Sequence, residues 1–578
     1  MNQPLTVPLF LSAVTSDQSQ PKAWRTVRRA GARRRGRART EQSRPGQTFD
    51  GSVSLPPAGT EANGSGPNGS SASISPATRS RAIWAVVVTG LALFMASLDN
   101  LVVSTALPVI RVHLHAGLSG LEWTVNAYTL TFAVLLMSAA AVGERFGRRR
   151  IFVLGIALFT AASAMAAMAP SIAVLVTARA LQGAGGAMIM PLSLTLLSAA
   201  VPPHRRNAAL GIWGAIGGAA VAIGPLVGGA VTSGWSWQYI FWLNVPVGIV
   251  LVPLAWWKLS ESRGARTRLD LVGVGLVSVG LFGIVLGLVR GNAHGWTSGS
   301  VLASFVAGSM ALAGFIAWEL RSSHPMLDIR LFRNRGFASV NVTAMLFSFG
   351  MFGSIFFLTQ FLQTVQGLSP LAAGIRVLPW TAMPMLLAPV VGMLAERWGG
   401  KPLVVTGLIF QAIGLTWLAL LITPSTPYAG MVAPFVISGM GMTLFFVPLA
   451  SLVLGAVPAA LEGVASGANS AFRELGGVLG IALLGAIFAS HGGYRSGQDY
   501  VSGMTPAVYV GAAVVALGAV TALFIPGRRS RRATLAVTPT VLSAPAATLQ
   551  AEGPLPVPDD ETGCGGRRPL EEVAYASA

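Results

Sequence analysis

Fourteen apolar runs, each long enough to cross a bilayer, leave this 578-residue chain little choice of fold. They lie near 82–109, 121–142, 151–169, 173–201, 208–231, 239–257, 270–289, 299–318, 337–358, 372–395, 403–422, 430–457, 463–488 and 506–525. A hydrocarbon core of about 30 Å is crossed by about 20 helical residues. Lipid offers the backbone no hydrogen-bonding partner, so each run must be a helix. Composition agrees: 53% of residues are hydrophobic and 11% charged, and mean hydropathy is +0.63, whereas soluble domains carry about 25% charged residues. An all-α membrane protein with fourteen transmembrane helices is expected. The single cysteine, Cys564, excludes an internal disulfide framework and a thiolate-rich metal site.

A net charge of +19 would suit a nucleic-acid binder, but the charges lie elsewhere than on a folded module. Twelve of the 40 basic residues fall in the first 81 positions, and the rest punctuate the apolar runs. With the N-terminus inside, the even-numbered connections and the C-terminal edge hold twenty Lys and Arg, and the odd-numbered ones hold four: Arg111, Arg290, Arg376 and Arg495. Basic residues are retained on the cytoplasmic side, so both termini are expected in the cytoplasm.

Residues 1–81 and 527–578 are rich in Arg, Ser, Gly and Pro and read as disordered cytoplasmic tails. The first tail suits attachment to anionic lipid, at about 1 kcal/mol per basic residue near the surface, or is a dispensable extension. Nucleic acid is not an expected partner, because no aromatic or folded module accompanies the charge. Its apolar stretch, 7–14, precedes the basic run, the reverse of a secretory signal, so no cleavage is expected.

The second connection reads Glu144-Arg145-Phe146-Gly147 and the tenth Glu396-Arg397-Trp398-Gly399, the same pattern 252 positions later. Small-residue helices ending in Pro191 and Pro448 repeat as well. The chain therefore divides into an N-terminal six-helix bundle (82–257), a linker with inserted helices seven and eight (258–336), and a C-terminal six-helix bundle (337–526). Parallel repeats about an axis along the membrane normal are an arrangement of transporters that bind substrate near the midplane.

From these residues the chain resembles the major facilitator superfamily, specifically its fourteen-span drug:proton antiporters of the EmrB/QacA type, over nearly all of 82–526. Leu98-Asp99-Asn100 through Leu107-Pro108 resembles that branch's first-helix motif, Arg179-Ala-Leu-Gln182-Gly183 its proton-coupling motif, and Gly224-Pro225-Leu-Val-Gly228-Gly229 its antiporter motif. His324-Pro325 to Arg333 and Gly367 to Pro379 look like stretches of the fourteen-span branch. Ala140, Glu144, His204 and Gln238 depart from the family pattern.

An isolated carboxylate in hydrocarbon must pair, face water or take up a proton, which makes Asp99 the leading proton carrier. Arg179 keeps its proton under ordinary conditions; the resemblance implies that it stabilises a nearby carboxylate and makes protonation sensitive to helix position. Gln182, three residues on, shares its face. Arg473 and Glu474 lie about ten residues into span thirteen, either as secondary coupling or substrate-contact candidates or as a buried structural ion pair; adjacent residues point about 100° apart, so simple mutual neutralisation is not expected. Pro225 removes a helix hydrogen bond, while Gly224 and Gly228 admit a close helix neighbour, a combination suited to a proton-tight barrier. Glu144, Arg145, Gly147, Glu396, Arg397 and Gly399 are expected to gate the cytoplasmic end. Ser119 with Glu122 fits a capping box, and Trp123, Trp235 and Trp237 suit the interfacial belt.

No Gly-rich phosphate loop ends in any of the three lysines, Lys22, Lys258 and Lys401, and the six histidines lack His-Glu-x-x-His spacing. Neither an ATPase nor a zinc hydrolase is supported, and no enzyme activity, metal or cofactor is expected. One inward proton across about 100 mV and one pH unit supplies about 3.7 kcal/mol, enough for a gradient of several-hundred-fold in a neutral solute. The expected function is proton-coupled antiport that exports hydrophobic small molecules, such as drugs or antibiotics, from the cell membrane. The sparse intramembrane acids favour neutral or monocationic substrates. The partners are the substrate, protons and membrane lipid, with a monomer expected and an accessory export subunit as the other arrangement. A dedicated metabolite or lipid exporter and a transport-inactive scaffold or sensor are the alternatives.

Overall fold

The computed structural model describes residues 76–263, 269–458 and 461–527; the sequence's two tails fall almost wholly outside them. Fourteen helices are long and apolar enough to cross a membrane, and no strand occurs among the described residues. In chain order, spans one to six are Ser80–His113, Leu118–Phe146, Arg148–Ala167, Ile172–Ala200, Ala209–Gly234 and Tyr239–Lys258. Spans seven and eight are Leu271–His294 and Gly299–Arg321. Spans nine to fourteen are Arg335–Val365, Pro370–Trp398, Gly400–Leu421, Tyr428–Leu454, Glu462–His491 and Gly497–Ala522. An even number of crossings brings the start of span one and the end of span fourteen to one face, here the terminal face; the other is the opposite face.

Every apolar run of the sequence is a span, and the edges move for local reasons. Span fourteen starts nine residues before its apolar run, because Ser496 caps it, accepting from the Asp499 N–H at 3.0 Å, and its first turn is polar. Span two begins after Gly117 with no side-chain cap, so the Ser119–Glu122 capping box does not form and Glu122 is free for another use. Span ten is interrupted at Ala382, just before Pro384, which has no N–H to continue the ladder. Span six breaks at Leu243, and span nine ends in a π-turn over Phe361–Val365. Trp235 is 72% exposed, as a belt residue would be, but Trp237 is 1% exposed and packs edge-on against Phe241.

Spans seven and eight form a hairpin so close that a Cβ on Gly283 would meet the Gly308 backbone at 2.9 Å. Its apolar face, Leu281, Val285 and Val289, packs with Leu130 and Val134 of span two and Val478 and Ala482 of span thirteen. The insertion thus covers one of the places where the two halves meet.

The halves are tied together from mid-membrane towards the opposite face. Thr359 and Gln363 of span nine donate to the carbonyls of Ser104 (3.2 Å) and Thr105 (2.8 Å) in span one. In span ten, Thr381 donates to the Ala222 carbonyl at 3.3 Å, and the Leu371 N–H to the Ser233 hydroxyl at 3.0 Å. Towards the terminal face, Gly211, Gly214 and Gly218 of span five and Gly392 of span ten face open space.

Candidate proton-coupling site

Four spans of the first half converge on Asp99, which is 2% exposed. Its Oδ2 accepts from Nη1 of Arg179, which is fully buried. Its Oδ1 accepts from Gln182 Nε2 at 3.1 Å and Asn244 Nδ2 at 2.8 Å. Arg179 and Gln182 reach the same carboxylate because i and i+3 share a helix face, and Arg179 also donates to Gln182 Oε1 at 3.0 Å. Ser163 of span three accepts from Gln182 at 2.8 Å and from Asn244 at 3.4 Å. The Arg179 Nε donates to the Thr124 carbonyl at 3.1 Å, which brings span two into the network.

The arrangement resolves what a carboxylate in the apolar layer does in this conformation: it pairs. A buried ion pair is tolerated only when its remaining lone pairs and protons are satisfied, and Asp99 accepts from three side chains. Arg179 is less completely served. Its guanidinium lies 4.4 Å from the Tyr128 ring centroid, and its Nη2 has no hydrogen-bond partner among the described residues. Tyr128 lies within electrostatic reach of Asp99, Arg179 and Glu474, the last an acid of the other half. Asn244 and Ser163 are hydrogen-bonding partners in this network that the sequence did not single out; an Asn opening a helix segment after a break offers no local pattern.

In the second half, Arg473 does reach Glu474, with Nη2 to Oε1 at 3.4 Å, contrary to the expectation from their angular separation. The arginine is long enough to fold back along its own helix, and its guanidinium also faces Phe446 at 5.7 Å. Glu474 is 7% exposed and Arg473 partly exposed, so the pair is a second, partly buried charge site, apart from Asp99.

The antiporter motif performs the close packing expected of it. A Cβ on Gly224 would meet Leu101 at 2.8 Å, and one on Gly228 would meet the Val102 carbonyl at 2.8 Å, both in span one. Across the seam, Gly374 of span ten leaves room for the Pro225 carbonyl, and Gly229 for that of Pro370. Pro225 therefore lies where spans one, five and ten meet.

At the terminal face, Gly147 (φ 114°) and Gly399 (φ 87°) make equivalent turns in the two repeats. Glu144 holds Arg148 through two contacts, 2.8 and 2.7 Å, rather than Arg145, which is exposed beside Phe146. Glu261, just after span six, was not singled out from the sequence. It accepts from the Arg149 N–H at 3.0 Å and lies 3.8 and 3.7 Å from the Arg149 and Arg150 side chains. Glu396 and Arg397 end span ten at the matching position. Gly147→Ala is expected to destabilise the fold by about 1–3 kcal/mol, because the backbone is left-handed and the new Cβ meets the Glu261 carboxyl. A lowered melting temperature in detergent would register it, and an unchanged one would contradict it.

At the opposite face, Arg111 lies over the Tyr494 ring at 3.6 Å, and Tyr494 donates to Gln360 Oε1 at 2.7 Å. The sequence treated Arg111 only as a charge for orientation. Burial pushes the Tyr494 hydroxyl above its ordinary range, opposed by the Arg111 charge.

The Major Facilitator Superfamily model matches residues 89–481 and 340–554. The chain is 38% identical over 407 residues to the multidrug resistance protein Stp of Mycobacterium tuberculosis, covering 70% of this chain and 75% of that one. It is 35% identical over 412 residues to the tetracenomycin C resistance and export protein of Streptomyces glaucescens, covering 71% and 76%. With the multidrug efflux pump LfrA of Mycolicibacterium smegmatis it shares 36% over 448 residues, 77% and 88% of the two chains. Among solved structures, a bacterial homologue of the human lysosomal transporter Spinster superposes with a TM-score of 0.55 at 17% identity, covering 80% of this chain and 98% of that one. With its fourteen spans and these relatives, the chain is a multi-pass cell-membrane protein that belongs to the major facilitator superfamily, in its drug:proton antiporter branch.

Proposed function

We propose that this protein exports hydrophobic small molecules, drugs or antibiotics among them, in exchange for protons. The observation that carries the reading is the fully enclosed Asp99–Arg179 pair. Protonation of Asp99 removes the charge that Arg179 neutralises, and an unpaired guanidinium in a low-dielectric site is costly. Arg179 must then find another acceptor or water, and spans one and four, which carry the two groups, shift with it. Proton occupancy thereby becomes helix position. The names of the relatives, a multidrug efflux pump and an antibiotic export protein, support the direction of transport and the class of substrate.

The terminal face is the cytoplasmic one by the distribution of basic residues. The hydrogen bonds that join the halves from mid-membrane to the opposite face then suit a transporter closed outwards. The functional units are the six-span halves 82–257 and 337–526, with 258–336 as linker and insertion, and the chain works as a monomer. Glu144, Gly147, Glu396, Arg397 and Gly399 belong to the inner gate, and Arg473 with Glu474 faces substrate.

Addition of ethidium to purified protein in weakly buffered lipid nanodiscs is expected to release protons, and Asp99→Asn is expected to release none while still binding the dye. Equal release from both proteins would remove Asp99 from the mechanism. A wild type that binds ethidium without releasing protons would overturn antiport itself.

A further inference from the structure

Glu122 lies four residues into span two, about 6 Å from its end at the opposite face at 1.5 Å per residue. It is 2% exposed, as enclosed as Asp99. Asp99 has Arg179, and Glu474 has Arg473; among the described residues, no ion pair or hydrogen bond reaches Glu122. Its carboxyl is seated against span thirteen, where the missing side chain of Gly485 makes the room: a Cβ there would collide with Glu122 Oε1. An uncompensated carboxylate in such a place costs several kcal/mol, and the group neutralises instead.

Among the described residues, the cations on the elements packed around it are paired, stacked or exposed. From span four, Arg179 bonds the Thr124 carbonyl but is paired with Asp99. From span one and the connection after span thirteen come Arg111 and Tyr494, the guanidinium resting on the ring at 3.6 Å, with Tyr500 of span fourteen packed behind Tyr494. Span seven, packed against spans two and thirteen, presents Phe282 to Trp123 and Asn292 to the Ala486 carbonyl, while its Arg290 is exposed. Tyr494 lies within electrostatic reach of both Glu122 and Arg111.

We propose that Glu122 is a second proton-binding site, holding its proton while spans two and thirteen are closed at the opposite face and exchanging it with water when they part. Opening that seam separates Gly485 from the carboxyl and Tyr494 from Arg111, so the acid gains water and the cation loses its ring in one movement. The site would give the transporter a proton position on the outward side of the Asp99 pair. Its place in the transport cycle rests on the antiport reading; the carboxyl's protonation and its gating do not.

The test reads the carboxyl itself. Infrared spectra of the purified full chain in lipid at pH 7 are expected to show a protonated-carboxyl band that Glu122→Gln removes and Glu122→Asp shifts. Tyr494→Ala, which frees Arg111 and loosens the seam, is expected to speed hydrogen–deuterium exchange of that band at least tenfold. A protonated-carboxyl region identical in wild type and Glu122→Gln would overturn the site. Exchange unchanged by Tyr494→Ala would overturn the gating. Where Glu122→Gln fails to fold, Glu122→Asp reads the same band by its shift, and absence of a shift overturns the site equally. None of these readouts involves transport, so failure of the antiport reading would appear separately, in the ethidium experiment.

Discussion

Arg179→Met is expected to destabilise the protein by about 3–5 kcal/mol, while Asp99→Asn combined with Arg179→Met recovers most of that loss. The reason is the asymmetry of buried charge. Removing one partner leaves the other uncompensated in an apolar site, whereas replacing both with neutral groups of similar volume is often neutral or stabilising. Asp99 is 2% exposed and Arg179 fully buried, so solvent has little opportunity to rescue either. Thermal unfolding in detergent should therefore rank the double variant near the wild type and Arg179→Met well below both. Proton-coupled export should be absent from single and double variants alike, since stability returns without a titratable group. If Arg179→Met unfolds at the wild-type temperature, the pair is not the closed, water-free contact described here.

The charge pair also shows how far a sequence can be read. Asp99, Arg179 and Gln182 were visible because charged and amide side chains in apolar runs stand out, and the i,i+3 spacing of Arg179 and Gln182 places both on one face. Asn244 and Ser163 were not, because their role depends on where spans three and six lie, which is tertiary information. The fourteen spans were legible for the same reason as the acids: lipid imposes one requirement on every crossing segment. Their ends were less so, since a polar first turn capped by Ser496 carries no hydropathy signal. Glu122 was misread because Ser-x-x-Glu is a local pattern, and a local pattern cannot reveal that Gly485, far along the chain, makes a seat for the carboxyl. Arg473 and Glu474 were placed apart by backbone angle, although the arginine's reach overrides it.

Gly374→Val is expected to force the opposite-face seam open and to reduce export at least tenfold. The Cβ of any residue at 374 would run into the Pro225 carbonyl, with the carbonyl carbon at 2.9 Å, and backbone cannot swing aside as a side chain can. Overpacking of this kind costs about 1–3 kcal/mol, borne only by the closed state, because the contact joins spans five and ten across the two halves. By the relation of 1.4 kcal/mol per decade, the balance shifts towards opening by roughly 5- to 150-fold. Spin labels at Ser236→Cys and Leu368→Cys, on a Cys564→Ser background, should report a longer distance in Gly374→Val than in the parent. Gly392→Val is the internal control: it lies on the same span towards the terminal face, where nothing stands within 4 Å, and should leave that distance unchanged. The contrast separates a seam that must part for transport from a glycine kept for general packing. If both valine variants give the parent distance and full export, the Gly374–Pro225 contact is not part of the moving barrier, and the role of the antiporter motif would have to be sought in its packing against span one.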